Sequence, residues 1–219
     1  RPDVSHCATT TSDRSRWSFA GPSPTPRMDH LRAGAALFNA GHYLAAHEPW
    51  EERWLEAPAG ERDDCLQGLV QATAATHKSR TGNWSGAVGL AESAVEYLDD
   101  CGHGDLRTWL GGLAADPELG ERERPPRLRI DGETVTTADL QFPAAGIAAE
   151  ALAETRGDEL VEQGVGYAEA DIADGNETSP FVTLTLDYLR GGSPTARKRL
   201  VQHVERRQAR EADVDGLFE

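Results

Sequence analysis

Between residues 28 and 113, apolar side chains return every three or four positions, the period of an amphipathic helix. Leu31, Ala35 and Phe38 mark a first helix over about 29–40, which Gly41 ends. A second spans about 43–56, although Pro49 requires either a kink there or a regular part that begins nearer Ala46. In a third, about 61–80, Leu66, Leu69, Val70 and Thr73 share one arc, while Gln67, Gln71 and Lys78 form a separate polar stripe. Asn83 is a good cap for a fourth helix over about 84–100, whose inner face of Ala87, Ala91, Ala94 and Leu98 is small enough for close packing. A fifth begins near 105 with Leu106, Trp109, Leu110 and Leu113. The connections are short, so consecutive helices should pair as antiparallel hairpins.

The pattern changes near residue 127. Leu128 and Ile130 alternate with Arg127 and Arg129, and Asp131-Gly132 precedes a β-prone run, which predicts a hairpin lying on the helical core. Helices then resume over about 143–156, from a cap at Asp158, over 181–190 and over 195–211. Ser179-Pro180 and Ser193-Pro194 open the last two, each a cap followed by proline at the first helical position. The fold class is all-α: a multihelical bundle of antiparallel helix hairpins with one short β-hairpin and a helical C-terminal extension. In chain order this gives a disordered leader or added extension (1–27), a helical bundle (28–118), a linker holding the hairpin (119–142), and an extension packed on the bundle (143–219).

The leader differs in composition from the rest of the chain. It is rich in Ser, Thr and Pro and carries a net charge of +2 (Arg1, Arg14, Arg16 and Arg27 against Asp3 and Asp13). The only methionine, Met28, stands where the helical pattern begins, so it reads as a natural start. The rival reading is an ordered arm that packs Trp17 and Phe19 on the body. At the other end, Glu205, Arg206, Arg207, Arg210 and Glu211 read as a solvated helical face, with a basic docking patch as the alternative. Leu217 and Phe218 are apolar in a polar tail and are expected to pack on the body or on a partner.

The formal charge of −15 argues against nucleic acid and anionic membranes as partners. No apolar run reaches the length of a membrane span. Lysine is reduced to Lys78 and Lys198, and with the acid excess and the many alanines and glycines this points to a halophilic, archaeal-type protein, acidic and cytoplasmic. Cys7, Cys65 and Cys101 are odd in number and scattered, which fits a reducing cytoplasm and excludes a cysteine metal cage. A homo-oligomer stays open.

The densest chemistry lies between Phe38 and Trp54. On a helical wheel, Tyr43, Leu44, Trp50, Trp54 and Leu55 fall on one arc with His47 and Glu51 at its centre. Ala45, Ala46, Pro49, Glu52 and Arg53 fall opposite, and Glu48 sits at the edge. A histidine and a carboxylate therefore occupy positions expected to face the core, where an unpaired charge costs several kcal/mol. His77, at the centre of the apolar arc of the next helix, is the best placed partner.

This stretch, with Gln67 to Gln71, His77 and Gly82 to Ala87, resembles the signature of the domain of unknown function 309 family, over about residues 33–98. The resemblance implies a small all-helical bundle. It places His47, Glu48, Glu51, Trp54, Gln71 and His77 at motif positions and assigns none of them a catalytic role. The activity is unassigned, and whether the protein is an enzyme stays open.

Three readings of the residues remain. In one, His47, Glu51 and His77 form a closed hydrogen-bond network between helices, with the aromatic residues as plain core. In the second, the polar groups and an aromatic wall of Trp50 and Trp54 line a pocket for a cationic small ligand or a partner protein. In the third, His47, Glu51 and His77 hold a divalent metal such as zinc, with Glu48 as the base of a metal-dependent hydrolase. The default is a non-enzymatic binding domain without a cofactor. No phosphate loop, nucleophile elbow or dinucleotide fingerprint occurs in the chain.

Overall fold

The computed structural model describes residues 26–191 and 194–215. Residues 1–25 of the leader, the Ser193 cap and the Leu217-Phe218 pair lie outside them; residues 26 and 27, expected in the leader, open the first helix instead. The elements run α1 (Pro26–Ala40), α2 (Tyr43–Glu56), α3 (Asp64–Arg80), α4 (Trp84–Tyr97), α5 (Gly104–Ala115), α6 (Leu119–Arg122), β1 (Arg129–Ile130), β2 (Glu133–Thr134), α7 (Ala144–Glu154), α8 (Glu159–Ala173), α9 (Pro180–Gly191) and α10 (Pro194–Asp215). The fold is all-α with one short antiparallel hairpin.

Local chemistry accounts for most of the boundaries. The Asp63 carboxylate accepts from the amides of Cys65 (2.9 Å) and Leu66 (3.3 Å), so α3 begins at Asp64 and not at 61. Asn83 accepts from Gly86 N–H (3.2 Å) and starts α4, and the Ser179 hydroxyl accepts from Val182 N–H (3.3 Å) at the start of α9. Asp131 (φ 52°) and Gly132 (φ 83°) form the left-handed turn of the hairpin. Asp158 departs from expectation. Its carboxylate makes no cap but pairs with Arg197, tying the start of α8 to α10.

Helices α1 to α5 pack as consecutive hairpins. Arg80 lies over the Tyr43 ring and Arg62 over the Trp54 ring, which fixes α2 and α3 as antiparallel. A Cys65–Cys101 disulfide joins the first turn of α3 to the segment after α4. This corrects the reading of scattered free thiols, and the cysteine pattern no longer argues for a reducing compartment. Cys65 and Cys101 are 36 positions apart in the chain, and only the antiparallel packing of α3 on α4 brings them together. Close approach there depends on small residues: Ala87, Ala91 and Ala94 are fully buried, and a Cβ on Gly68 would lie 2.7 Å from Leu98 Cγ.

Helix α7 joins the two halves. It packs on α1 and α2 on one side and on α8 and α9 on the other. Ala144, Ala145, Ala148, Ala149, Ala151 and Ala153 are all buried, so the helix is covered nearly all round. The hairpin is held on α1 by one side chain. Asn39 donates through Nδ2 to the carbonyls of Leu128 and Val135 (2.9 Å each), and its Oδ1 accepts from Leu128 N–H (2.7 Å). Among the described residues, no helix is long and apolar enough to cross a membrane.

Candidate functional site

Helix α2 runs unbroken through Pro49, and its regular bonding is in place at the first turn, where Ala46 N–H donates to His42 C=O (2.8 Å). Its buried face shares Tyr43 and Trp50 with the arc that the wheel selects but is otherwise rotated away from it. Tyr43, Ala45, Ala46, Pro49 and Trp50 are buried, whereas Leu44 and Leu55 are 45% and 54% exposed. The small side chains Ala45, Ala46 and Pro49 lie inward where α2 is wedged against α1, α3 and α7, and their size lets the helices approach closely. Trp50 is fully buried, with its Nε1 donating to Leu31 C=O (3.2 Å).

His47 and Glu51 therefore lie at the edge of the protein and not in the core. His47 Nδ1 stands 3.5 Å from Glu51 Oε2 and 3.8 Å from Glu48 Oε1, with the three side chains 21%, 43% and 40% exposed. One ligand atom from each of the three lies within 4.8 Å of the others. His77 is not brought into this group; Glu48 takes the third place. His77 is half-buried on α3, where burial and the Lys78 charge push its imidazole below the ordinary range. Gln71 lies on the same helix with its Oε1 buried and unpartnered, as does Gln67 one turn earlier.

Beside the trio, α2 and α7 enclose an open cleft of about 370 Å³. Glu48, Glu51 and Glu52 line one wall and Glu150 and Glu154 the other, with Pro49, Leu55, Ile147 and Ala151 between them. Among the described residues, none of the five carboxylates pairs with lysine or arginine; the basic side chains within 4 Å are the imidazoles of His47 and of His30, which lies 3.4 Å from Glu52. Burial pushes the Glu48 carboxyl above its usual range. His47 opposes the rise, and Glu154, Glu51 and Glu52 add to it. Glu150 is raised by burial first, then by Glu169, Glu52, Glu162 and Glu154. Glu169 on α8 is raised by burial, and its Oε1 occupies the space that a Cβ on Gly146 would need.

The aromatic wall does not line this cleft. Trp50 belongs to the core, and the face of Trp54 is taken by the Arg62 guanidinium at 4.1 Å. The cation–π element of the ligand reading is thus occupied from within the chain. Sequence reasoning also missed Glu150 and Glu154. Their i, i+4 spacing on an alanine-rich helix was visible, but nothing in it pointed to α2.

Comparison with known proteins adds kinship without chemistry. Over 108 residues the chain is 26% identical to an "Uncharacterized protein" of Aquifex aeolicus (strain VF5), which covers 46% of this chain and 32% of the relative. The aligned part thus spans about a third of that relative's length. No solved structure matches. Residues 31–90, from α1 into α4, match the family model "Domain of unknown function (DUF309)", which supports the family named by the motif resemblance and takes in the α2 wall of the cleft but not the α7 wall.

Proposed function

We propose that this protein is a non-enzymatic binding domain whose α2–α7 cleft takes up a small organic cation. One observation carries the reading: five carboxylates from two helices converge on an open cleft and meet no lysine or arginine among the described residues. Gathering like charges raises the free energy of the unliganded site, and a bound cation relieves it. An amine also fits the mixed lining, because its methylene stem can lie on Leu55 and Ile147 while its ammonium groups reach the carboxylates.

The test is calorimetric titration of the full chain with spermidine. Binding should be detectable at low ionic strength, and Glu48→Gln/Glu150→Gln should weaken it by about tenfold or more, the scale of losing charge-assisted hydrogen bonds. Absence of binding, or equal binding by the double variant, would sink the proposal.

A second reading is favoured by the His47–Glu48–Glu51 geometry: a divalent ion such as zinc held at the mouth of the cleft, with open positions for water and hydrolysis. It predicts that zinc binding is lost in His47→Ala while spermidine binding is kept. Zinc binding unaffected by His47→Ala would refute it.

A further inference from the structure

A second cleft, built by α8, α9 and α10, has the opposite sign. It opens between the α8–α9 turn, the first turn of α9 and one face of α10, with a volume of about 1230 Å³. His203, Arg206 and Arg210 are spaced by three and four residues, so all three stand on the same side of α10. In a chain with a net charge of −15, this is an unusual concentration of positive charge.

The two acids in the cleft are already engaged. Asp171 accepts from Arg207 Nη1 (3.0 Å). Glu211 accepts from Arg207 Nε (3.1 Å) and from the Tyr167 hydroxyl (2.9 Å). The Arg207 guanidinium lies 4.1 Å from the Tyr167 ring centre and 5.5 Å from that of Phe181, so it is fixed in the wall. Arg206 and Arg210 differ from it. Each donates its Nε to a carbonyl one turn back, Gln202 C=O at 2.9 Å and Arg206 C=O at 3.2 Å. Those bonds hold the side chains along the helix and leave the two terminal nitrogens of each guanidinium without a carboxylate partner among the described residues. Burial and the charges of Arg206 and Arg210 together push the His203 imidazole below its ordinary range, as expected where positive charge is in excess.

We propose that this cleft binds a phosphorylated small molecule, with Arg206 and Arg210 gripping the phosphate. Guanidinium groups match the oxygen geometry of a phosphate monoester and bind it bidentately. The cleft extends well beyond a bare ion, which leaves room for the esterified group alongside His203 and Pro180. The site is separate from the α2–α7 cleft and stands independently of the function proposed there.

Adenosine 5′-monophosphate is the probe, titrated calorimetrically into the full chain, with adenosine and inorganic phosphate in parallel. Adenosine 5′-monophosphate should bind, inorganic phosphate should compete with it, and adenosine should not bind. Both arginines are exposed, so Arg206→Ala/Arg210→Ala should keep its circular dichroism and melting temperature while losing affinity by about tenfold or more. Should the alanine pair fail to fold, Arg206→Gln/Arg210→Gln replaces it. Glu48→Gln/Glu150→Gln should bind the nucleotide as the unmodified chain does. No binding of adenosine 5′-monophosphate at millimolar concentration, binding equal to that of adenosine, or binding unchanged in a folded double-arginine variant would each overturn the proposal.

Discussion

Gly34→Ala tests the packing that places α2. Gly34 is buried on α1, and an added Cβ would lie 2.3 Å from Trp50 Cε2 and Nε1 and 2.7 Å from Cδ1. Carbon atoms rest at about 3.5–4.0 Å, so the indole or the helix must move by more than an ångström. The indole has no free space, since Trp50 is fully buried and its Nε1 is bound to Leu31 C=O at 3.2 Å. Overpacking costs about 1–3 kcal/mol. Stranding the indole N–H adds about 1–3 kcal/mol. Against this, alanine favours the helix over glycine by about 1 kcal/mol. The net loss is about 3 kcal/mol, read as a lower urea midpoint or a melting temperature lower by roughly 6–12 °C. Gly89→Ala is the control. Gly89 is exposed on α4, and a Cβ there would meet nothing within 4 Å, so the helix term acts alone and stability should rise by up to about 1 kcal/mol. If Gly34→Ala also proves stabilising, the close approach of α1 to Trp50 is refuted, and with it the placement of the α2 wall of the cleft.

Two further outcomes follow from the same geometry. Asn39→Ala removes the three hydrogen bonds that hold the hairpin ends, so it should cost about 1–3 kcal/mol and speed amide exchange at 129–134; unchanged exchange would mean that the packing of Leu128 and Val135 alone holds the hairpin. Glu150 has a raised pKa in the folded protein, so the folded state binds its proton more tightly than the unfolded chain does, and stability is lost as pH rises through the ordinary carboxylate range to the raised value. Glu150→Gln should therefore be more stable than the unmodified chain at neutral pH, with the difference closing at acid pH; a difference independent of pH in acid–urea titrations would contradict the crowding of charge in the cleft.

The order and type of the elements were legible in the chain because they rest on short-range chemistry. Helical periodicity, the caps at Asn83 and Ser179 and the Asp131-Gly132 turn each act within a few residues, so their outcome does not depend on distant partners. Asp158 shows the limit of that reasoning: a residue suited to a cap was drawn instead to Arg197, thirty-nine positions away.

Which face each helix buries was decided by the tertiary structure. A wheel weighs side chains by hydrophobic bulk, so it turned the Leu44 and Leu55 side of α2 inward. Close packing on three neighbours selected Ala45, Ala46 and Pro49, whose small size lets backbones approach. That rotation carried His47 and Glu51 outward, exchanged His77 for Glu48, and faced them with Glu150 and Glu154 from a helix a hundred residues later. The sequence by itself determined that the chain is a helical bundle with acidic chemistry on its second helix. Only the folded structure decided that this chemistry forms an open carboxylate cleft, because charges separated along the chain act together only where packing brings them close.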